Sequence, residues 1–210
     1  MPTKKAPGKA ASKAVKKPTK KPAYRLPTIS EESLNPRQRA LLDSIRSGPR
    51  GGKVSLGGPF GVYLHAPEFG DLTQQLGAFC RYKTSLAPRL SEFAILVTAR
   101  QWRAQYEWHA HAAIAERAGV STRTINDLKA GRVPTAAAKD ERAIHAFIQE
   151  LYKTKRVSDQ TYSRVQQLLG DSGMVEFIGI LGYYALVAMT LDVFRVPLPA
   201  DVPLPFAEPG

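Results

Sequence analysis

The chain has 210 residues, enough for one core of ordinary size, and a hydrophobic content of 43%, which is typical of a globular protein. Its single cysteine excludes an internal disulfide and a cysteine-based zinc site. The net charge of +12 is unevenly distributed, because residues 1–25 hold nine of the 30 basic residues and no acidic residue.

Residues 1–26 are rich in Lys, Ala and Pro and offer little to bury. We therefore predict a disordered basic tail there and a helical domain over residues 27–210. Eight lysines without acidic neighbours are expected to bind polyanions weakly and with strong salt dependence; a solubilising extension without function is an equal reading. The stretch has no apolar run like that of a secretory signal, and the lone cysteine fits a reducing cytoplasm, where we expect the protein to reside.

The next elements follow from capping residues and apolar spacing. Asn35 and Pro36 predict a capped helix that ends at Gly48, and the Gly- and Pro-rich residues 48–68 predict a long ordered loop. From residue 69 onward the pattern is helical, and no strand pair or repeat is evident, so we predict an all-α fold. The predicted helical segments are 72–79, 90–97, 106–118, 121–131, 143–151, 158–170 and 174–194, followed by an extended arm over 196–210.

The most apolar segment, residues 174–191, is about long enough to cross a bilayer. Glu176 lies inside it and Asp192 directly follows it, while Gly179 and Gly182 suit close helix packing. We therefore predict a helix in a core or subunit interface and no membrane contact.

Residues 91–119 read SEFAILVTARQWRAQYEWHAHAAIAERAG, and LGAFCRYKTSLAPRL precedes them. Together with the late GYYALVAMTL, these segments resemble the carboxymuconolactone decarboxylase family, which includes the alkylhydroperoxidase D-like proteins. The resemblance covers roughly residues 55–200 and implies an alkylhydroperoxidase D-like helical fold. With the very apolar last helix, it also implies a homo-oligomer, either a trimer or a hexamer.

Polar residues suited to acid–base chemistry concentrate in this region. Glu107 and His111 are four apart on one predicted helix, so they face the same side and can touch. A carboxylate that orients an imidazole makes a usable acid–base pair, although an ordinary surface pair has the same spacing. Glu92 is a third candidate, but one straight helix would place it roughly 22 Å from Glu107. The resemblance implies a chain reversal near residues 101–103, which no Gly or Pro there indicates.

Four further residues are candidates for substrate binding. Arg81 and Arg100 carry charges that suit a substrate carboxylate, although exposed surface is the simpler reading of both. Trp108 and His109 flank the acid–base residues and are expected either to line a pocket or to pack as neighbours. No phosphate loop and no zinc-type ligand set is visible, so we expect no cofactor and no metal.

One departure from the peroxidase-type members decides which activity the resemblance implies. Those members share a Glu, a C-x-x-C and a His four residues beyond the second Cys; here the matching positions are Glu92, Ala104, Glu107 and His111. Dithiol peroxidase activity is therefore not expected, because both thiols are missing. What remains resembles the decarboxylase branch, a carboxy-lyase acting on a carboxylated lactone of aromatic-compound degradation. The resemblance implies His111 as proton donor, Glu107 as its partner and Glu92 as a second acid–base or orienting group.

Two other classes of function stay open. Residues 114–134 also resemble a DNA-binding helix-turn-helix, with Ala115 and Gly119 at the turn and Ile125 and Leu128 on the packing face. Many helical hairpins share this turn, because Gly ends one helix and Ser caps the next. The remaining alternative is a family relative without dithiol activity that binds a small molecule and does not turn it over.

Overall fold

The computed structural model describes residues 1, 23–51, 54 and 56–207. Every regular element in these residues is helical, which confirms the predicted all-α class. A 3-10 turn at Glu31–Ser33 precedes α1 (Pro36–Ser47), α2 (Gly58–Tyr63), α3 (Pro67–Tyr82), α4 (Pro88–Trp102), α5 (Gln105–Arg117), α6 (Thr122–Lys129), α7 (Lys139–Thr154) and α8 (Asp159–Val193). Most of the predicted tail, residues 2–22, lies outside the described residues.

Side-chain caps explain why several helices begin where they do. The Asn35 side chain accepts a hydrogen bond from the Gln38 backbone N–H at 3.0 Å, and the Gln38 side chain accepts one from the Asn35 N–H at 3.0 Å. Ser121 and Ser158 cap α6 and α8 in the same manner through their hydroxyl groups. These caps satisfy N–H groups that have no partner within the helix.

The structure corrects the predicted loop and agrees with the predicted break in the last helical region. The segment 48–68 is not a loop throughout, because α2 forms within it and buries Val62 and Tyr63, while Pro67 already begins α3. Burial of these apolar side chains outweighs the weak helix propensity of the local glycines. The two predicted last helices both lie within the range of α8, and the prediction that the first ends at Gly170 is confirmed, because the backbone there is non-helical and kinked (φ 67°, ψ 177°).

Helix α4 lies at the centre of the core and packs against α5, α7 and α8. Every residue from Leu90 to Ala99 is buried, so this helix has no solvent-facing side over most of its length. It therefore holds the polar side chains of Ser91, Glu92 and Thr98 inside the protein.

The predicted reversal between Glu92 and Glu107 occurs at Arg103. This residue adopts a left-handed conformation (φ 54°, ψ 31°) and ends α4, and the Ala104 N–H bonds back to the Ala99 carbonyl at 2.9 Å. Arg103 also donates from its guanidinium to the Ala207 carbonyl at 2.5 Å. The turn folds α5 back against α4, so that residues distant along the sequence become neighbours.

Both ends of the described chain pack onto the helical body. Arg25 donates to the carbonyls of Val193 and Phe194 at the end of α8, so structural contacts begin ahead of the predicted boundary at residue 27. On the C-terminal arm, Phe206 is buried against Trp108 with ring centroids 5.1 Å apart. Two hydrogen bonds of 2.9 Å between Gln105 and the Phe206 backbone hold the arm in place.

Among the described residues, one helix, α8, is long and apolar enough to cross a membrane by length and composition alone. Within its most apolar 18-residue window, 56% is buried inside the protein. Core helices of soluble proteins pass the same test, so this composition does not by itself indicate a membrane span.

Candidate active site

The imidazole of His111 is bound to a carboxylate inside the protein. His111 Nδ1 lies 2.7 Å from Glu92 Oε2, and the side chains, from α5 and α4, are 7% and 5% exposed. The edge of the imidazole ring also meets Tyr184 of α8, with centroids 5.0 Å apart and planes at 88°. With Nδ1 bound to Glu92, Nε2 is the ring nitrogen that can serve a ligand.

The prediction that Glu107 contacts His111 is wrong, because the carboxylate bound to His111 belongs to Glu92. Glu92 takes the hydrogen bond to the imidazole, and neither carboxyl oxygen of Glu107 has a hydrogen-bond partner among the described residues. The spacing of four residues permits a contact but does not require it. Glu107 is instead a separate acidic group on the same side of α5.

Burial governs the ionisation of Glu107, which is 2% exposed. Desolvation, with a smaller contribution from the negative charge of Asp192, raises the pKa of this carboxyl well above its ordinary value. The neutral acid is therefore favoured, and a neutral carboxyl can donate a proton.

His111 and Glu107 line one cavity of about 340 Å³. Two arginines, Arg50 and Arg81, line it as well, and neither guanidinium forms a salt bridge within the described part of the chain. Arg50 donates to Gln74 at 3.2 Å and lies over the Phe60 ring at 5.2 Å, while Arg81 lies 5.2 Å from the Tyr82 ring centroid. The cavity thus combines acid–base groups with cations that are available to an anionic ligand.

Three predicted substrate-binding residues are not among the described residues that line this cavity. Arg100 lies over Phe206 at 5.2 Å, Trp108 is buried against the same ring, and His109 is exposed. The helix geometry explains the last two, because each step along α5 turns the side chain by about 100° away from the face of Glu107 and His111. Of the four predicted substrate-binding residues, Arg81 is the one that lines the cavity.

Sequence reasoning missed the residues that complete the wall. Tyr183 and Tyr184 come from α8, Tyr106 from α5, and Arg50 from the segment predicted to be a loop. Burial raises the pKa of the Tyr183 and Tyr184 hydroxyls, so both stay protonated. The motif GYYALVAMTL contains the two α8 tyrosines. Because this motif is part of the family resemblance, it could have indicated that these tyrosines belong to the site.

Residues 67–150, which span α3 to most of α7, match the model of the carboxymuconolactone decarboxylase family. Over this segment, which is less than half of the chain, the sequence is similar to the carboxymuconolactone decarboxylase family. A comparison with curated proteins finds no match. The matched segment contains Glu92, Glu107 and His111, whereas the α8 tyrosines lie beyond it.

A dithiol site needs two cysteines, and no cysteine is among the described residues that line this cavity. Cys80, the single cysteine of the chain, is buried on α3, and desolvation raises the pKa of its thiol to about 11. At neutral pH it is a protonated thiol, which is a poor nucleophile.

The α5–α6 hairpin places the residues of the helix-turn-helix hypothesis in the core. Ala115, Ile125 and Leu128 are buried, and α6 packs against α4 and α5. Gly119 adopts a φ of 104° at the end of α5, and Ser121 caps α6. The turn is thus accounted for by packing within this domain, and DNA binding stays a prediction.

Proposed function

We propose that this protein is a cofactor-free carboxy-lyase that acts on a carboxylated lactone or similar small organic acid of aromatic-compound degradation. The observation that carries the proposal is the Glu107 carboxyl, which is buried, has no hydrogen-bond partner among the described residues and lines the same cavity as the Glu92-bound His111. A neutral acid beside an oriented imidazole is suited to moving protons onto and off a carbon centre.

In the proposed reaction the guanidinium of Arg81, with that of Arg50, binds a substrate carboxylate. The bond between the substrate carbon and the departing carboxylate breaks, carbon dioxide leaves, and the electron pair passes into the lactone carbonyl as a conjugated enolate. The cations and the Tyr184 hydroxyl stabilise that negative charge. A proton then returns to carbon, and the donor is restored by water.

We assign the proton donor to His111 or Glu107, which both reach the cavity, and the orienting role to Glu92. Glu92 accepts from Nδ1–H, which fixes the imidazole tautomer and leaves Nε2 for the substrate. This assignment differs from the sequence-based one in the partner of His111, which is Glu92 instead of Glu107.

The proposal is tested by incubating the purified protein with carboxylated lactones in D2O, and by following carbon dioxide release and deuterium incorporation by NMR. His111→Ala and Glu107→Gln are each expected to slow turnover by about 10²- to 10⁴-fold, the usual contribution of a general acid or base. His109→Ala is the matched control, because this histidine lies on α5 but is exposed. Turnover that survives both cavity substitutions would contradict the proposal.

The second candidate, a non-catalytic binder of small organic acids, uses the same cavity and the same arginines. It predicts tight binding with neither carbon dioxide release nor deuterium incorporation, and equal affinity in the wild type and in His111→Ala.

We also propose that the protein forms a homo-oligomer, a trimer or a hexamer, and that it is cytoplasmic. Exposed apolar side chains in helical spacing support the first of these proposals. They lie on α3 at Phe69, Leu72, Leu76 and Phe79, and on α8 at Val175, Ile178, Met189 and Val193. We name these two rows the α3/α8 face.

A further inference from the structure

A second cavity of about 500 Å³ adjoins the candidate active site. Apart from Tyr106, its walls come from parts of the chain that the family match does not cover: the segment from Tyr24 to Ile29, the stretch around α2 from Leu56 to Leu64, and the arm from Val196 to Pro199. None of the described residues that line it carries a charge, and Pro27, Pro197 and Pro199 stiffen two of its walls.

Hydrogen bonds connect the N-terminal and C-terminal segments that line this cavity. Arg25, between the lining residues Tyr24 and Pro27, donates to the Val193 carbonyl at 2.8 Å and, through its backbone N–H, to the Phe194 carbonyl at 3.1 Å. The N-terminal segment is thereby held beside the C-terminal arm, which leaves α8 at this point. Hydrogen bonds of Arg25 therefore fix the two terminal segments that line the cavity.

The two cavities are neighbours, because Gly57 and Tyr106 line both of them. The hydroxyl end of Tyr106 lies against Gly58, so closely that a Cβ on Gly58 would stand 2.8 Å from the hydroxyl oxygen. Gly58 also has a φ of +66°, which glycine adopts without strain. The ring of Tyr106 therefore lies where the charged cavity and the apolar cavity meet.

We infer that the apolar cavity holds the hydrocarbon part of the substrate, and that this substrate is a carboxylic acid or lactone acid with an extended apolar substituent. The inference rests on the proposed function for the placement of the carboxylate beside Arg81 and Arg50. An apolar cavity without charged lining groups favours hydrocarbon over water or polar groups, and its contact with the acid–base cavity through Tyr106 makes one ligand able to occupy both.

The test measures binding, so that it does not depend on turnover. Isothermal titration of the full chain with the straight-chain carboxylates from butanoate to decanoate is expected to show affinity that rises about fourfold per methylene. Octanol is expected to bind more weakly than octanoate, because it lacks the charge that the arginines bind.

Leu198→Trp fills the apolar cavity from the C-terminal arm, and Ile29→Trp fills it from the N-terminal segment. Each variant is expected to bind butanoate as the wild type does and to lose the gain in affinity with chain length. Leu168→Trp, an exposed position on α8 that lines neither cavity, is the matched control and is expected to keep the gain.

Affinity that is independent of chain length in the wild type would overturn the inference, as would a gain that survives in both filled variants. A change of oligomeric state in Leu198→Trp with an unchanged chain-length series would mean that a second copy occupies the cavity, which also overturns it. Failure of the proposed function is distinguishable, because it would appear as tight octanoate binding without carbon dioxide release from any acid of suitable length.

Discussion

The Glu107 carboxyl sits where an ionised group is costly. It is 2% exposed and neither oxygen has a hydrogen-bond partner among the described residues, so ionisation leaves a buried charge without compensation. The unfolded chain imposes no such penalty, and the pKa of Glu107 is therefore higher in the folded state than in the unfolded state. This difference links stability to pH.

The sign of that link gives a prediction for Glu107→Gln. Below the ordinary pKa of 4.5 both states bind the proton, and the contribution of Glu107 to stability is fully present. As the pH rises from there through the raised folded pKa, the unfolded state loses its proton first, so the free energy of unfolding falls. Glutamine carries no titratable proton, so the advantage of Glu107→Gln over the wild type should grow from pH 5 to pH 8 in urea unfolding. Parallel pH profiles of the two proteins would contradict the raised pKa.

At the scale of elements, the decisive feature is the turn between α4 and α5. Arg103 holds a positive φ of 54° there, a conformation that side chains with a Cβ adopt at some energetic penalty. The turn brings His111 back to Glu92, 19 residues earlier in the chain. The candidate site therefore depends on one strained residue that touches neither the imidazole nor the carboxylate.

Two substitutions isolate the conformational contribution of Arg103. Both Arg103→Val and Arg103→Gly remove the guanidinium bond to Ala207, but only valine, with its branched Cβ, resists a positive φ. The free energy of unfolding of Arg103→Val is expected to be lower than that of Arg103→Gly by about 1–2 kcal/mol. Chemical denaturation of the two variants measures the difference, and equal stabilities would show that the turn is not strained.

At the scale of the whole molecule, the α3/α8 face is apolar surface that the single chain leaves exposed. Leu72 and Val175 are 70% and 75% exposed, and the helices that carry them pack against each other. Exposed rows of large apolar side chains are typical of surfaces that associate with another protein. Exposed Gly182 lies between Ile178 and Met189 on this side of α8, and a Cβ there would meet nothing within 4 Å among the described residues.

A charge placed on this face should separate the proposed oligomer. Leu72→Glu or Val175→Glu is expected to yield monomers in light scattering coupled to size-exclusion chromatography, because an isolated carboxylate is unfavourable in an apolar interface. Val133→Glu is the matched control, since Val133 is 67% exposed but lies in the connection between α6 and α7. A wild-type protein that is already monomeric would contradict the proposed assembly.

The sequence by itself determined the helical class and the starts of α1, α6 and α8, because the caps Asn35, Ser121 and Ser158 act through hydrogen bonds to nearby backbone groups. It also excluded a dithiol within one chain, since a count of one cysteine needs no coordinates. Helix α2 was not predicted, because it is stabilised by the burial of Val62 and Tyr63 in the tertiary structure. The intrinsic helix propensity of its residues does not indicate this burial.

Only the tertiary structure decided the partner of His111. The spacing along α5 favours Glu107, but the carboxylate that contacts Nδ1 is Glu92 of α4. The two helices are brought together by the turn at Arg103, where no Gly or Pro indicates a reversal. The same holds for Arg50, Tyr183 and Tyr184, and for the apolar cavity built from the two ends of the described chain. Local sequence specifies interactions over a few residues, whereas these contacts depend on how whole helices pack, and packing is a property of the complete core.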